Sequence, residues 1–219
     1  MKGIFFDFKK TFLNFCNPKQ KYFSINKVHN NYFVLRHGHT SYTADLTDII
    51  YPTSTQFELG ITEQGKEDVR KLVPFLKEKK INLIFASDFL RAQITSKIVA
   101  EGLNLKVISD KRLRDVNLGV YEGRKKKEYY DKITPRVMFE KGVEGGESWI
   151  DCINRVESLI KDIEKQYQNK NILIVGHGDP LWLLERGIAR KDNIDKLLEE
   201  RYSVLIIKPG ELRTIIFKK

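Results

Sequence analysis

Residues 32–39 read Tyr32-Phe33-Val34-Leu35-Arg36-His37-Gly38-His39, and residues 171–178 read Asn171-Ile172-Leu173-Ile174-Val175-Gly176-His177-Gly178. Each is a short, continuously apolar run that stops at a Gly-flanked histidine. Runs of this length and β-branched content are buried strands, apolar on both faces. Between them, residues 62–79 carry Val69, Leu72, Val73 and Leu76 at helical spacing behind Thr62, a candidate N-cap. Pro74 falls inside that pattern, where a kink is expected. Residues 81–85 (INLIF) form a further strand, and 89–101 a helix with Gly102 as its stop. Val107-Ile108 is a short strand. Residues 109–147 are irregular and hold Gly119, Gly123, Pro135, Gly142, Gly145 and Gly146. Ser148 caps a helix whose stripe is Ile150, Ile153, Val156, Ile160 and Ile163. Asp179-Pro180 opens another helix, and residues 202–207 and 212–217 pair as a hairpin through Pro209-Gly210.

Strands alternating with helices specify a sheet covered on both faces. Ligands in such folds collect beyond the carboxyl ends of the strands. Three strands end in polar clusters: Arg36-His37-Gly38-His39, Ser87-Asp88-Phe89-Leu90-Arg91 and Gly176-His177-Gly178. Three of the four histidines therefore follow strands. Neutral imidazole is a competent nucleophile. Arginine matches phosphate with a planar fork, and a phosphoryl group in flight is stabilised mainly by positioned cations. The cluster fits phosphoryl transfer through a histidine, with a carboxylic acid to protonate the leaving oxygen.

Leu35-Arg36-His37-Gly38-His39-Thr40 resembles the signature of the histidine phosphatase superfamily, the phosphoglycerate-mutase-like enzymes. The similarity continues in order through LGITEQG (59–65), ASDFLRAQIT (86–95), LRDVNLGVYEG (113–123), GGES (145–148) and ILIVGHGDP (172–180). It covers roughly residues 32–207. The resemblance implies a three-layer α/β/α sandwich with a mostly parallel central sheet, phosphoglycerate mutase-like. It implies a metal-independent phosphoric monoester hydrolase without cofactor. His37 is the implied nucleophile. Arg36, Arg91 and His177 are implied to hold the phosphoryl oxygens, with the Gly178 backbone and the Thr43 hydroxyl as further donors. Asp115 stands where the family usually carries Glu and is the implied general acid, with Glu122 as runner-up. His39 stands where the family often has Glu or Gln, and Thr43 where many members have Asn. Family mutases carry a longer insertion between the counterparts of Gly119 and Gly145-Gly146. Its shortness here favours a phosphatase acting on a small phosphorylated metabolite over a mutase.

Other readings are set aside by residues. His37-Gly38-His39 could face a metal, but Gly38 favours a turn and further His or Cys ligands are few. Gly176-x-Gly178 lacks the third glycine of a dinucleotide loop. Taken alone, Arg91 reads as a surface residue and Asp115 as a partner of Arg112 or Arg114. Glu147-Ser148 reads as cap and scaffold, and Trp149 and Trp182 as core or rim.

The chain of 219 residues is 41% hydrophobic and 31% charged, which is enough to form a core. Its longest apolar runs are far below the ~20 residues of a spanning helix. Two cysteines, Cys16 and Cys152, make no disulfide framework, and a reducing, cytoplasmic setting is expected. The net charge of +10 invites nucleic acid, membrane or anionic substrates. Half of it falls on residues 1–30, with six lysines and one aspartate. That segment reads as a basic extension before a catalytic domain at 31–219. Phe5, Phe8, Phe12 and Phe15 are spaced as one helix face, ended by Asn17-Pro18. It lacks the apolar core and cleavage site of a secretory signal. Docking on the domain is the simpler reading, and contact with a membrane surface or a second copy the sharper one. The run Arg124-Lys125-Lys126-Lys127 beside Tyr129-Tyr130 is the best candidate for anion or nucleic-acid binding by a member without catalysis. Such a run is ordinarily a solvated helix face, and no nucleic-acid partner is expected.

Overall fold

The structure is a computed structural model that describes residues 25, 28–44, 48–200 and 206–218. The expected helix with the phenylalanine face, and its membrane or dimer contact, lie outside the described residues. Among the described residues no helix is long and apolar enough to cross a membrane.

Strand β1 (Asn31–Arg36) shows why the sheet is covered on both sides. Successive side chains alternate between faces, and all four central residues are buried. Tyr32 and Val34 join one apolar cluster, Phe33 and Leu35 the other. The layers on either side follow in chain order. Helix α1 (Ser41–Ala44) is a single turn. Helix α2 (Glu63–Glu78) is capped by the Thr62 hydroxyl, which accepts from the Gly65 N–H at 3.0 Å. Pro74 sits on its exposed side, and the helix runs through it to Glu78. Strand β2 (Leu83–Ala86), helix α3 (Leu90–Leu103) and strand β3 (Val107–Ser109) come next. Helices α4 (Lys126–Lys132) and α5 (Pro135–Glu140) punctuate the irregular stretch. Helix α6 (Trp149–Gln166) leads to strand β4 (Asn171–Gly176). Helix α7 (Gly178–Leu183) continues as a wider π-helical turn, Leu184–Ala189. Helix α8 (Ile194–Glu200) and strand β5 (Leu212–Ile215) close the chain.

The sheet order is β3-β2-β4-β1-β5, parallel except for β5. Val69 and Leu76 of α2 and Ala92 and Val99 of α3 cover the Phe33/Leu35 face. Helix α6, α7 and the π turn cover the Tyr32/Val34 face. This is the expected α/β/α sandwich with a mostly parallel sheet.

Three details differ from expectation. Helix α3 passes through Gly102 and stops at Asn104, which takes the left-handed conformation (φ 55°). Gly102 serves packing instead: a Cβ there would lie 2.5 Å from Val73 Cγ1 of α2. On α6, Ile150 is only half-buried, while Trp149, Cys152 and Leu159 complete the core stripe. Ser148 and Asp151 form a reciprocal capping box at its start. The C-terminal strand pairs antiparallel with β1, Leu35 opposite Leu212 and Tyr32 opposite Ile215. Residues 206–207 are not strand, and 202–205 lie outside the described residues. The reason is visible at the turn: the Gly210 N–H donates to the Arg36 and His37 carbonyls. That contact hands the chain to the open edge of β1.

The start of the described chain is tied to α6. The Ile25 N–H donates to Glu157, and Asn30 bridges Glu164 and the Tyr167 carbonyl.

Candidate active site

The sheet order places β2, β4 and β1 side by side and parallel, so their carboxyl ends share one edge. Two backbone bonds fix the ends together. The His37 N–H donates to the Gly176 carbonyl and the Ser87 N–H to the Val175 carbonyl, both at 3.0 Å. The three polar clusters thus become one site.

His37 is fully buried. Its Nδ1 lies 2.9 Å from the Gly38 carbonyl, which can only accept, so Nδ1 carries the proton. Nε2 is left with its lone pair and no partner among the described residues. Burial, followed by the charges of Arg36 and Arg91, holds this imidazole well below the usual histidine range, hence neutral. His177 is buried beside it, with ring centroids 5.3 Å apart. Burial and Arg91 also hold His177 neutral. Its Nε2 meets Ser87 Oγ at 2.9 Å, and its Nδ1 has no hydrogen-bond partner among the described residues.

The two arginines have atoms to spare. Arg36 spends Nη1 on the Ile207 carbonyl at 2.8 Å, and its buried Nε has no partner among the described residues. Arg91 has no exposed surface, contrary to its reading in isolation. Its Nη1 donates to Gln56 at 2.6 Å, while Nε and Nη2 are buried without hydrogen-bond partners among the described residues. The rings of Tyr51 and Phe89 lie 4.5 and 5.1 Å from its guanidinium carbon. Burial lowers its pKa, and the Asp115 charge opposes that.

Asp115 is not a partner of its neighbouring arginines. Arg112 is engaged by Asp110 and Asp162, and Arg114 by Asp88. Asp115 instead sets Oδ2 at 3.8 Å from Arg91 Nη2 and 4.0 Å from His177 Nδ1. Burial and the like charge of Asp179 push its carboxyl up, against the pull of Arg91 and Arg36. Glu122 lines the same cleft. Gly178 touches Arg36 so closely that a Cβ would lie 3.2 Å from Nη1. Thr43 also lines the cleft, but its hydroxyl donates to the Thr40 carbonyl at 3.0 Å and accepts from the Thr40 N–H at 2.8 Å. Its one proton is spent on the turn that starts α1. Glu147 pairs with Arg155, and Trp149 and Trp182 are buried, as scaffold residues should be.

The residue family model for the histidine phosphatase superfamily (branch 1) matches residues 32–206. The chain belongs to the histidine phosphatase superfamily. A phosphoserine phosphatase of Hydrogenobacter thermophilus is 27% identical over 129 residues, 55% of this chain and 60% of that protein. A probable phosphoglycerate mutase of Yersinia enterocolitica is 29% identical over 162 residues, 69% of this chain and 71% of that one. Thus the chain spans less than two thirds of the phosphoserine phosphatase. Among solved structures, a mycobacterial glucosyl-3-phosphoglycerate phosphatase in complex with VO3 superposes with a TM-score of 0.70 at 20% identity, covering 84% of this chain and 90% of the other. The α-ribazole phosphatase of Shigella flexneri gives 0.66 at 22% identity, covering 86% and 91%. These two are likenesses of fold.

Three residues of this histidine phosphatase site escaped the sequence reading. Gln56 anchors Arg91, Tyr51 lies on it, and Ser87 holds His177. Gln56 is 35 positions from Arg91 and Ser87 is 90 from His177. Only Ser87, inside a quoted strand-end cluster, carried any local signal. The cleft that opens from Arg36, Asp115 and Gly178 holds about 270 Å3. The Ile49–Lys125 bridge joins two loops beside it. Of the basic run only Lys126 lines the cleft, with Tyr129 and Tyr130 of α4. Among the described residues no group of three or more His, Cys, Asp or Glu side chains is placed to hold a metal ion.

Proposed function

We propose that this chain is a phosphomonoesterase that works through a phosphohistidine at His37. The observation that carries the reading is a group of buried polar atoms with no hydrogen-bond partner among the described residues: His37 Nε2, Arg36 Nε, Arg91 Nε and Nη2, and His177 Nδ1. Buried polar groups are ordinarily paired. One lone pair facing several donors suits a phosphoryl group, whose phosphorus takes the lone pair and whose oxygens take the donors.

The steps follow from the atoms. His37 Nε2 attacks phosphorus, and the bond to the substrate oxygen breaks. That oxygen takes the proton of Asp115, whose raised pKa keeps it available. The Asp115 carboxylate then takes a proton from water, which attacks the phosphohistidine. The P–N bond breaks, its electron pair returns to Nε2, and inorganic phosphate leaves. His177 serves as a donor when the Ser87 hydroxyl gives its hydrogen to Nε2, which leaves the proton on Nδ1. Ser87 Oγ is free to do so because it accepts from the Phe89 N–H at 3.3 Å. The substrate class is a small phosphorylated metabolite, and no metal takes part.

His37→Ala should abolish release of 4-nitrophenol from 4-nitrophenyl phosphate, by at least about 10³-fold, with circular dichroism unchanged. A fully active variant sinks the mechanism. Steep salt-dependent nucleic-acid binding without turnover would instead favour a non-catalytic anion-binding role.

A further inference from the structure

We propose that the leaving group of the substrate carries a planar ring, held in the cleft by Tyr42, Tyr129 and Tyr130. This deepens the phosphatase reading and rests on it for the placement of the phosphoryl end. The cleft is two-ended. Arg36, Asp115, Gly178 and Tyr51, whose ring lies on Arg91, belong to the phosphoryl end, and Tyr42, Tyr129 and Tyr130 line the cleft together with Ile50 and Leu118. A phosphate ester seated at the first end has this wall beside its leaving group.

The wall is preassembled. Tyr42 of α1 lies on Tyr51 with centroids 5.2 Å apart and planes tilted by 32°. Tyr129 and Tyr130 of α4 meet edge to face at 5.4 Å, and Tyr121 closes on Tyr129 at 5.3 Å. Tyr129 is 3% exposed and Tyr130 39%. Such rings offer faces and edges of fixed orientation at small entropic cost.

Charge in the cleft argues against a small carboxylate as the feature recognised. The charged lining of this cleft is Arg36 and Lys126 against Asp115, Glu122 and Asp179, so there is no surplus of cations. The adjoining cleft past Asp115 holds about 470 Å3 and is basic, with Lys111, Arg112, Arg114 and Arg155 in its wall. Its three arginines are already matched: Arg112 by Asp110 and Asp162, Arg114 by Asp88, Arg155 by Glu147. Only the first cleft carries the tyrosine wall that suits a ring.

The test uses two probes whose leaving alcohols have similar acidity, 2-phenylethyl phosphate and n-propyl phosphate, with the full chain. Calorimetry on the His37→Ala variant measures binding without turnover. The phenyl compound should bind about tenfold more tightly or better, from ring burial and stacking. That ratio should fall at least threefold when Tyr42→Ala or Tyr130→Ala is added, and should persist with Tyr130→Phe, which keeps the ring. Equal binding of the two probes overturns the proposal, as does a ratio that neither alanine variant changes. Failure of the parent reading looks different: a persistent ring preference in binding with no phosphate release from either probe by the unaltered protein. His37-dependent release from both probes with equal affinity leaves a phosphatase and removes the ring.

Discussion

As the proposed general acid, Asp115 has to hold a proton among arginines, and the structure shows the opposing influences. Burial and Asp179 raise its pKa, while Arg91 and Arg36 pull it down. A general acid of this kind helps most where the leaving oxygen is a poor one. In single-turnover experiments Asp115→Asn should slow alcohol release from n-propyl phosphate by about 10²-fold or more, and slow 4-nitrophenol release by under about tenfold. The alkaline limb of kcat/KM for the alkyl ester should disappear in the same variant, because that limb records loss of the Asp115 proton. Equal slowing of both esters would pass the role to Glu122. At this scale the sequence was legible where chemistry is local. Arg36, His37 and His177 sit in short motifs at strand ends, and the structure brings them together. What the sequence withheld are distant partners such as Gln56 and Ser87, since nothing near Arg91 or His177 in the chain encodes them. Thr43 shows the converse: it lines the cleft, yet its hydroxyl answers a local demand, the turn at Thr40.

At the scale of elements, the site loop is braced by a helix that contributes no catalytic group. The Thr62 N–H donates to the His39 carbonyl at 2.7 Å, and Gly65 of α2 presses on the same loop. A Cβ at Gly65 would lie 2.7 Å from the His39 oxygen and 2.9 Å from its nitrogen, both backbone atoms that cannot swing aside. Gly65→Ala should therefore cost about 1–3 kcal/mol of stability and lower kcat/KM as the 37–40 loop shifts. Gly102→Ala supplies the comparison, because its Cβ would meet a Val73 methyl between α2 and α3, on residues that line no part of the cleft. It should lower the urea midpoint and leave kcat/KM close to that of the parent protein. If both variants lose only stability, α2 does not position the loop. The same glycines explain where elements could be read from the sequence. Apolar spacing with the Thr62 and Ser148 caps located α2 and α6. Gly102 was a stop by residue type but a contact by packing, and Asn104 did the stopping. The last strand was legible and its pairing with β1 was not. Pairing with β1 depends on an open sheet edge that exists only after the parallel strands assemble.

For the molecule as a whole, acid stability is tied to the two imidazoles proposed for catalysis. The strand ends bury two imidazoles 5.3 Å apart beside two arginines, and both are held neutral, first by burial and then by those charges. A nucleophile must be neutral to attack, so this arrangement suits the proposed reaction. Folding nevertheless opposes protonation. In the unfolded chain each imidazole takes a proton near its ordinary value of 6.5, whereas in the folded protein it does so only well below. Below that value the unfolded state binds more protons, and stability falls as pH falls. The slope approaches about 1.4 kcal/mol per pH unit for each histidine. Lowered carboxylates such as Asp110 and Asp151 destabilise in acid as well, so the parent curve alone does not isolate the imidazoles. The difference between the parent and His37→Ala does, because the carboxylates are common to both. Measured by urea unfolding, that difference should shift by about 1 kcal/mol in favour of His37→Ala between about pH 7 and about pH 5.5. A difference that stays constant would mean that His37 titrates at its ordinary value inside the folded protein. The site would then present a cationic imidazole in mild acid, and the neutral nucleophile on which the phosphohistidine step depends would be lost there.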